Sequence, residues 1–317
     1  MKLPLVTQAG CLRRTFGLSL GLVAAVALPG AETGSTVSAP ALAALAAHAR
    51  DVLHQIMESE HSFVRIHAAE ALMAAGETDA IRAYFLRELP ATESSAFRIG
   101  VWRVLTTAAR SPDERSAWIA KIERVYGDPA AKDRNNAIET LCKLGYHVSG
   151  PTLAIVRQQA AGPPSAPMSL ALWSAQLAGE PHALEGLTAL LASPDVALRT
   201  DAAYALRWLH LSDPAMRQAL AHAVAVEPVG TSAYPYLLGA ALTVDADPAQ
   251  TKIWEAKLDQ IFATGATDAR FEVSWTLKHR YQAADLPRVA AFLDRPASEN
   301  DTRVGAAMII LTTLARQ

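Results

Sequence analysis

Aromatic residues are scarce in this 317-residue chain, at 6% of the total, and there are two cysteines, Cys11 and Cys142. β-Branched runs and Asn-Gly hairpin signals are also rare, which argues against a sheet protein. There are no Lys/Arg clusters of the kind that track a phosphate backbone, so the chain lacks the electrostatic footprint of a nucleic-acid binder. No Cys-x-x-Cys pair, His-Glu-x-x-His helix, glycine-rich phosphate loop or serine-centred elbow occurs. These absences exclude the motif-defined zinc, nucleotide and nucleophile-elbow sites. They leave the sequence with no implied cofactor and no implied metal.

The N-terminal segment reads as a secretory signal. Lys2, Arg13 and Arg14 precede an apolar stretch from Phe16 to Leu28, followed by Pro29-Gly30-Ala31. The run is well short of the ~20 residues of a spanning helix, so cleavage after Ala27 or Ala31 is expected, with no stable membrane insertion afterwards. Arg13-Arg14-Thr15-Phe16 also resembles a twin-arginine export signal, although Gly17 stands where that pattern wants a large apolar residue. Gln8-Ala9-Gly10-Cys11 is not a lipobox, because its apolar segment follows the cysteine. The organisation expected is a signal peptide at 1–31, a flexible spacer at 32–41 and a helical body at 42–317, in a bacterial periplasmic or secreted protein. Loss of Lys2, Arg13 and Arg14 from 29 basic residues, with all 31 acidic ones kept, leaves a net charge of −5. Cys142 is then the single thiol, and is most simply a small buried residue.

What the chain has in abundance is alanine and leucine, arranged as a repeat. Val64-Arg65-x-x-Ala68-Ala69-x-Ala71-Leu72 returns as Leu198-Arg199-x-x-Ala202-Ala203-x-Ala205-Leu206, and further copies open at Arg98, Arg134, Arg270 and Arg303. Degenerate copies near Ser169 and Pro235 fill the two wide gaps. A period of about 30 to 36 residues means one supersecondary unit stacked on itself. Between copies lie start signals for partner helices, such as Ser111-Pro112-Asp113 and Ser212-Asp213-Pro214. Repeated helices are expected to begin near Ser62, Ser95, Lys132, Pro167, Val196, Ser232, Asp268 and Asp301, after a first helix from Leu42 to Glu58.

The Val-Arg-x-x-Ala-Ala-x-Ala-Leu helix resembles the short HEAT-like repeats of the phycobilisome-lyase type, over residues 60 to 317. The resemblance implies an all-α, right-handed α-solenoid of about eight helical hairpins, an armadillo-like superhelix. It also implies that the repeated arginine is structural, pairing with acids of a neighbouring turn, for which Asp113, Asp195 and Asp268 are candidates. Val64–Glu70 and Phe97–Arg103 further resemble stretches of HEAT-like proteins encoded or fused with bacterial sugar and solute transporters. That would imply uptake or processing of a carbohydrate-like solute.

In such arrays the arginine-bearing helix lines the concave face. Positions −2, +2, +5 and +9 from the arginine fall on one helical stripe, expected to be an exposed inner surface. Two concentrations stand out along it. One holds His67, Glu70, Arg103, Asn136 and Glu139; the other holds Asp201, Tyr204, Trp208, Glu272, Trp275 and His279. Carboxylates, a histidine and an arginine fork suit a polar or carboxylated ligand, and Glu70 with Glu139 are the carboxylates a general acid/base pair would use. The same groups equally suit an inter-repeat salt-bridge ladder. Tyr and Trp suit sugar stacking or a protein partner. Two readings therefore stand: a scaffold that engages a partner protein on its concave face, or a periplasmic protein for a saccharide-like ligand using the Glu/Arg/His cluster.

Overall fold

The computed structural model describes residues 38–244 and 247–317. The expected signal peptide, its cleavage site and residues 32–37 of the expected spacer lie outside the described residues. Residues 39–41 of that spacer are already helical.

Among the described residues the protein is all-helical. Its α-helices are α1 (Ala39–Ser59), α2 (Phe63–Ala74), α3 (Thr78–Thr92), α4 (Arg98–Thr107), α5 (Pro112–Gly127), α6 (Arg134–Lys143), α7 (Gly150–Ala160) and α8 (Ala166–Leu177). They continue as α9 (Ala183–Leu190), α10 (Val196–Leu209), α11 (Pro214–Val226), α12 (Ala233–Thr243), α13 (Pro248–Thr264), α14 (Thr267–Leu277), α15 (Leu286–Ala290) and α16 (Asn300–Leu314). None is long and apolar enough to cross a membrane.

Many helix starts follow from local chemistry. Ser111 Oγ accepts from the Glu114 amide at 3.1 Å, and Asp213 and Asp247 accept from Met216 and Gln250 in the same way. Each cap is followed by proline at the first turn, where the missing N–H costs nothing. α4 and α6 begin two or three residues later than expected, because Phe97 and Asp133 sit at non-helical backbone angles and the arginine itself opens the helix.

The helices alternate between two layers. Even-numbered helices pack each against the next along the chain, and each is backed by an odd-numbered one. Alanine makes the inner layer possible: Ala68, Ala69, Ala202, Ala203, Ala306 and Ala307 are fully buried where these helices abut. The approach is closest at Gly100, where an added Cβ would lie 2.8 Å from Ile66 Cγ1 of α2. Gly305 of α16 meets Ser274 of α14 at a similar separation.

The last helix changes the architecture. α16 packs against α14 on one side and against both α1 and α2 on the other, so the two ends of the array meet. An open solenoid leaves one free flank on each terminal repeat. Here those flanks cover each other, reinforced by a 2.8 Å bond from Asn300 Nδ2 to Glu60 Oε1. The eight helix pairs therefore close around a common axis, a curvature that the repeat pattern left open.

Four of the six repeated arginines tie one repeat to the next through an acid, but the acids differ from those expected. Arg98 forks onto Asp133 at 2.8 and 3.1 Å, and Arg199 onto Glu227 at 2.6 and 2.9 Å. Arg65 reaches Glu88, and Arg270 reaches Glu299. Arg134, Arg199, Arg270 and Arg303 also donate to carbonyls of the preceding turn, at Tyr126, Ser193, Phe262 and Leu293. Of the expected partners, Asp195 instead caps α10 through the Ala197 amide, and Asp268 accepts from the Ala269 amide. Asp113 has no ion pair with a repeated arginine among the described residues; these arginines reach acids of the next repeat or carbonyls of the preceding turn.

Candidate functional site

Closure turns the inner stripe inward. The +5 residues of the repeated helices, Glu70, Arg103, Glu139, Tyr204 and Trp275, come from five different helices. They meet around the axis with neighbours from the same turns. Arg103 Nε donates to Glu70 Oε1 at 2.5 Å, and His67 Nδ1 lies 3.4 Å from the other oxygen of Glu70. Lys143 Nζ pairs with Glu139 Oε1 at 2.8 Å, and Tyr204 OH donates to the same oxygen at 2.7 Å from α10. Arg207 pairs with Glu272 of α14 and also donates to its carbonyl. Aromatic rings fill the space between. Trp208 lies 5.6 Å from Trp275, Trp173 5.8 Å from Tyr204, and His67 4.9 Å from Phe271.

The stripe was expected to be exposed, yet Arg103 and Glu272 are buried and His67, Glu70, Asn136, Glu139, Asp201, Tyr204 and Trp275 are half-buried. The two concentrations seen in the sequence form one: Tyr204 of the second bonds Glu139 of the first, and His67 stacks near Trp275. His279 does not join them. It lies exposed just past the end of α14, with its pKa lowered by burial and by Lys278, Arg316 and His210. Asn136 takes no part in the axial bonds. Cys142 is buried beside Ser174, and burial pushes its thiol far above the ordinary range, which makes it unreactive.

The electrostatics restrict what the cluster can do. Burial works to raise the Glu70 carboxyl, but the Arg103 charge and the His67 contacts outweigh it and hold it well below the usual range. Burial and Lys143 oppose each other in the same way at Glu139, which falls to about 2. Neither carboxyl keeps a proton to donate at neutral pH, so the pair lacks a general acid. Burial raises Glu272 against the pull of Arg207. Burial also raises Asp201, aided by Glu139 and Asp195, to about 6. Lys278 is lowered by burial, and then by Arg207, to about 8; its ammonium sits 4.1 Å from the Trp275 ring centre.

Two cavities open at this axis. One, of about 100 Å³, is lined by Glu70, Arg103, Thr107, Lys143, Leu144, Trp208 and Trp275. The other, of about 130 Å³, is lined by Glu70, Ala71, Ala74, Ala75, Trp275, Lys278, Met308, Leu311 and Thr312. Glu70 and Trp275 belong to both. Apart from Arg103 and Met308, the remaining lining residues stand in the last turn or just beyond the C-terminal ends of α2, α4, α6, α10, α14 and α16, so these ends gather on one side. Cations in the last turns suit that side, because the helix dipoles end there in carbonyls. Among the described residues no group of three or more potential metal ligands is gathered.

Sequence reasoning missed Arg207 and Lys278 and left Lys143 out of the candidate site. Each is a cation in or just after the last turn of a repeated helix, and Arg207 and Lys278 share the +8 register. That register was the available signal. Comparisons with protein-family models, with curated proteins and with solved structures find no match to this chain.

Proposed function

We propose that this chain is an exported helical-repeat protein of the HEAT-like kind, periplasmic or secreted, which holds a small polar molecule at the axis of its closed array. The observation that carries this reading is the convergence of His67, Glu70, Arg103, Glu139, Tyr204 and Trp275 from separate repeats beside two cavities with two shared walls. A solenoid that only stacks repeats needs apolar and small residues inside. Charged and aromatic groups satisfied by one another around a gap are what a ligand pocket uses. The small-ligand reading thereby gains over the scaffold reading, because a concave face that grips a partner protein needs the stripe turned outward, and these side chains bond across the axis. Solenoid character in this reading means a HEAT-like array whose terminal repeats have come into contact.

The test is thermal unfolding of the full chain with neutral sugars, sugar acids, short carboxylic acids and divalent metals, beside the Trp275→Leu variant. A ligand at about 100 times its Kd adds about 2.7 kcal/mol, a clear rise in Tm. A rise that disappears in the variant supports an axial site. A flat response to every compound, with a partner protein captured at the rim, returns the function to scaffolding.

A further inference from the structure

We infer that the ligand is a small monocarboxylate with a short aliphatic tail, its carboxylate held in the cavity beside Arg103 and Trp208 and its tail in the neighbouring one. This rests on the axial-site reading above and gives it a chemical class.

The argument starts from hydrogen-bond donors that lack acceptors. Arg103 is buried, and although its Nε is taken by Glu70, its Nη2 has no partner. Trp208 Nε1 has none either. Both side chains line the smaller cavity. Lys278, on the adjoining cavity, rests against Trp275 with no carboxylate within ion-pair distance among the described residues. Unmet buried donors are costly, and the Arg103 and Trp208 donors lack the same thing, an oxygen acceptor. A carboxylate is acceptor-only and matches an arginine fork.

Local charge limits the charge of the ligand. Arg103, Lys143, Arg207 and Lys278 bring four cations to the axis; Glu70, Glu139 and Glu272 engage three of them, and Asp201, raised by Glu139, is a fourth acid there. The carbonyl ends of inner helices that gather nearby oppose added negative charge, which weighs against phosphate or a dicarboxylate more than against a monoanion.

The second cavity selects the remainder of the molecule. Ala71, Ala74, Ala75, Met308 and Leu311 give it an apolar wall, and Glu70 and Trp275 line both cavities. An alkyl chain of a few carbons packs there, where hydroxyl groups of a sugar would meet few partners. Volumes of about 100 and 130 Å³ limit the length.

Isothermal titration calorimetry of the full chain with butyrate, n-butanol, n-butylamine, sodium sulfate and glucose tests this. Butyrate should bind at least ten-fold more tightly than butanol, and butylamine should not bind. Arg103→Gln should abolish butyrate binding. Since that variant also strands Glu70, Trp208→Phe, which removes the indole donor together with part of the ring, should weaken butyrate several-fold with unchanged helicity. Equal affinity for butanol and butyrate would overturn carboxylate recognition. So would sulfate binding more tightly than butyrate, or full butyrate affinity in Trp208→Phe. Glucose binding that Trp275→Leu removes, without butyrate binding, would overturn the inference and leave the axial site standing. Silence from every compound here and in the wider thermal panel would overturn both.

Discussion

Arg207 and Glu272 set the energetic stakes at the level of single residues. Both are nearly inaccessible, and each is the other's main compensation for leaving water. A buried pair contributes little net stability, but breaking it is severe. Arg207→Met alone should cost about 3–5 kcal/mol in urea unfolding, whereas Arg207→Met with Glu272→Leu should recover most of the loss. Equal losses for the single and double variants would refute this account. Asp201 gives the opposite case. Its folded pKa of about 6 lies above the value of about 4 for an unfolded aspartate. The folded state therefore holds the extra proton between those values, and stability falls as pH rises from about 4 to 6. Asp201→Asn should raise stability at pH 7 by about 1 kcal/mol, roughly 2–4 °C in Tm, and give no gain at pH 4. The gain is modest because the group is only partly buried.

At the scale of elements, close approach of the inner helices decides whether the ring can form. The inner helices carry small residues toward their neighbours, and α2, α4, α6, α10 and α14 turn larger polar ones toward the axis. At position +2 this division varies: His67, Asp201 and Glu272 stand there in three repeats, while Gly100 and Gly305 occupy it in two others and pack against the preceding helix. Gly100→Val should therefore cost about 1–3 kcal/mol through overlap with Ile66. Ile66→Ala alone should cost about 2–5 kcal/mol, and the combined variant less than the sum. A double-mutant cycle reads the coupling directly; strict additivity would mean that α2 and α4 are not in contact at this point.

At the scale of the whole molecule, the contact of α16 with α1 and α2 separates a closed array from an open one. A compact body of the length of residues 38–317 should have a radius of gyration of about 19 Å, and an open arc of eight repeats would exceed it. In an open array a terminal repeat can be lost with the rest kept, because stability is close to a sum over neighbours. Here α16 seals two flanks. Deleting residues 300–317 should abolish cooperative unfolding of the remainder and expand the chain in small-angle scattering. Retention of a sharp transition and an unchanged profile for the remaining helices would show that closure is incidental.

Residue spacing alone determined much of this molecule. The alanine-arginine period, the Ser/Asp-Pro starts and the lack of strand signals specify helices in pairs, since capping and periodicity are local properties that need no partner to be read. The +5 position also picked out Glu70, Arg103 and Glu139 in one concentration and Tyr204 and Trp275 in another. Tertiary structure decided what these residues face. Curvature accumulates from small rotations between repeats, each fixed by packing such as Gly100 on Ile66, and no single helix encodes their sum. Only when α16 reaches α1 do two stripes become one axis, do Tyr204 and Glu139 come within bonding distance, and do Arg207 and Lys278 enter the site from a register that looked like ordinary helix ends.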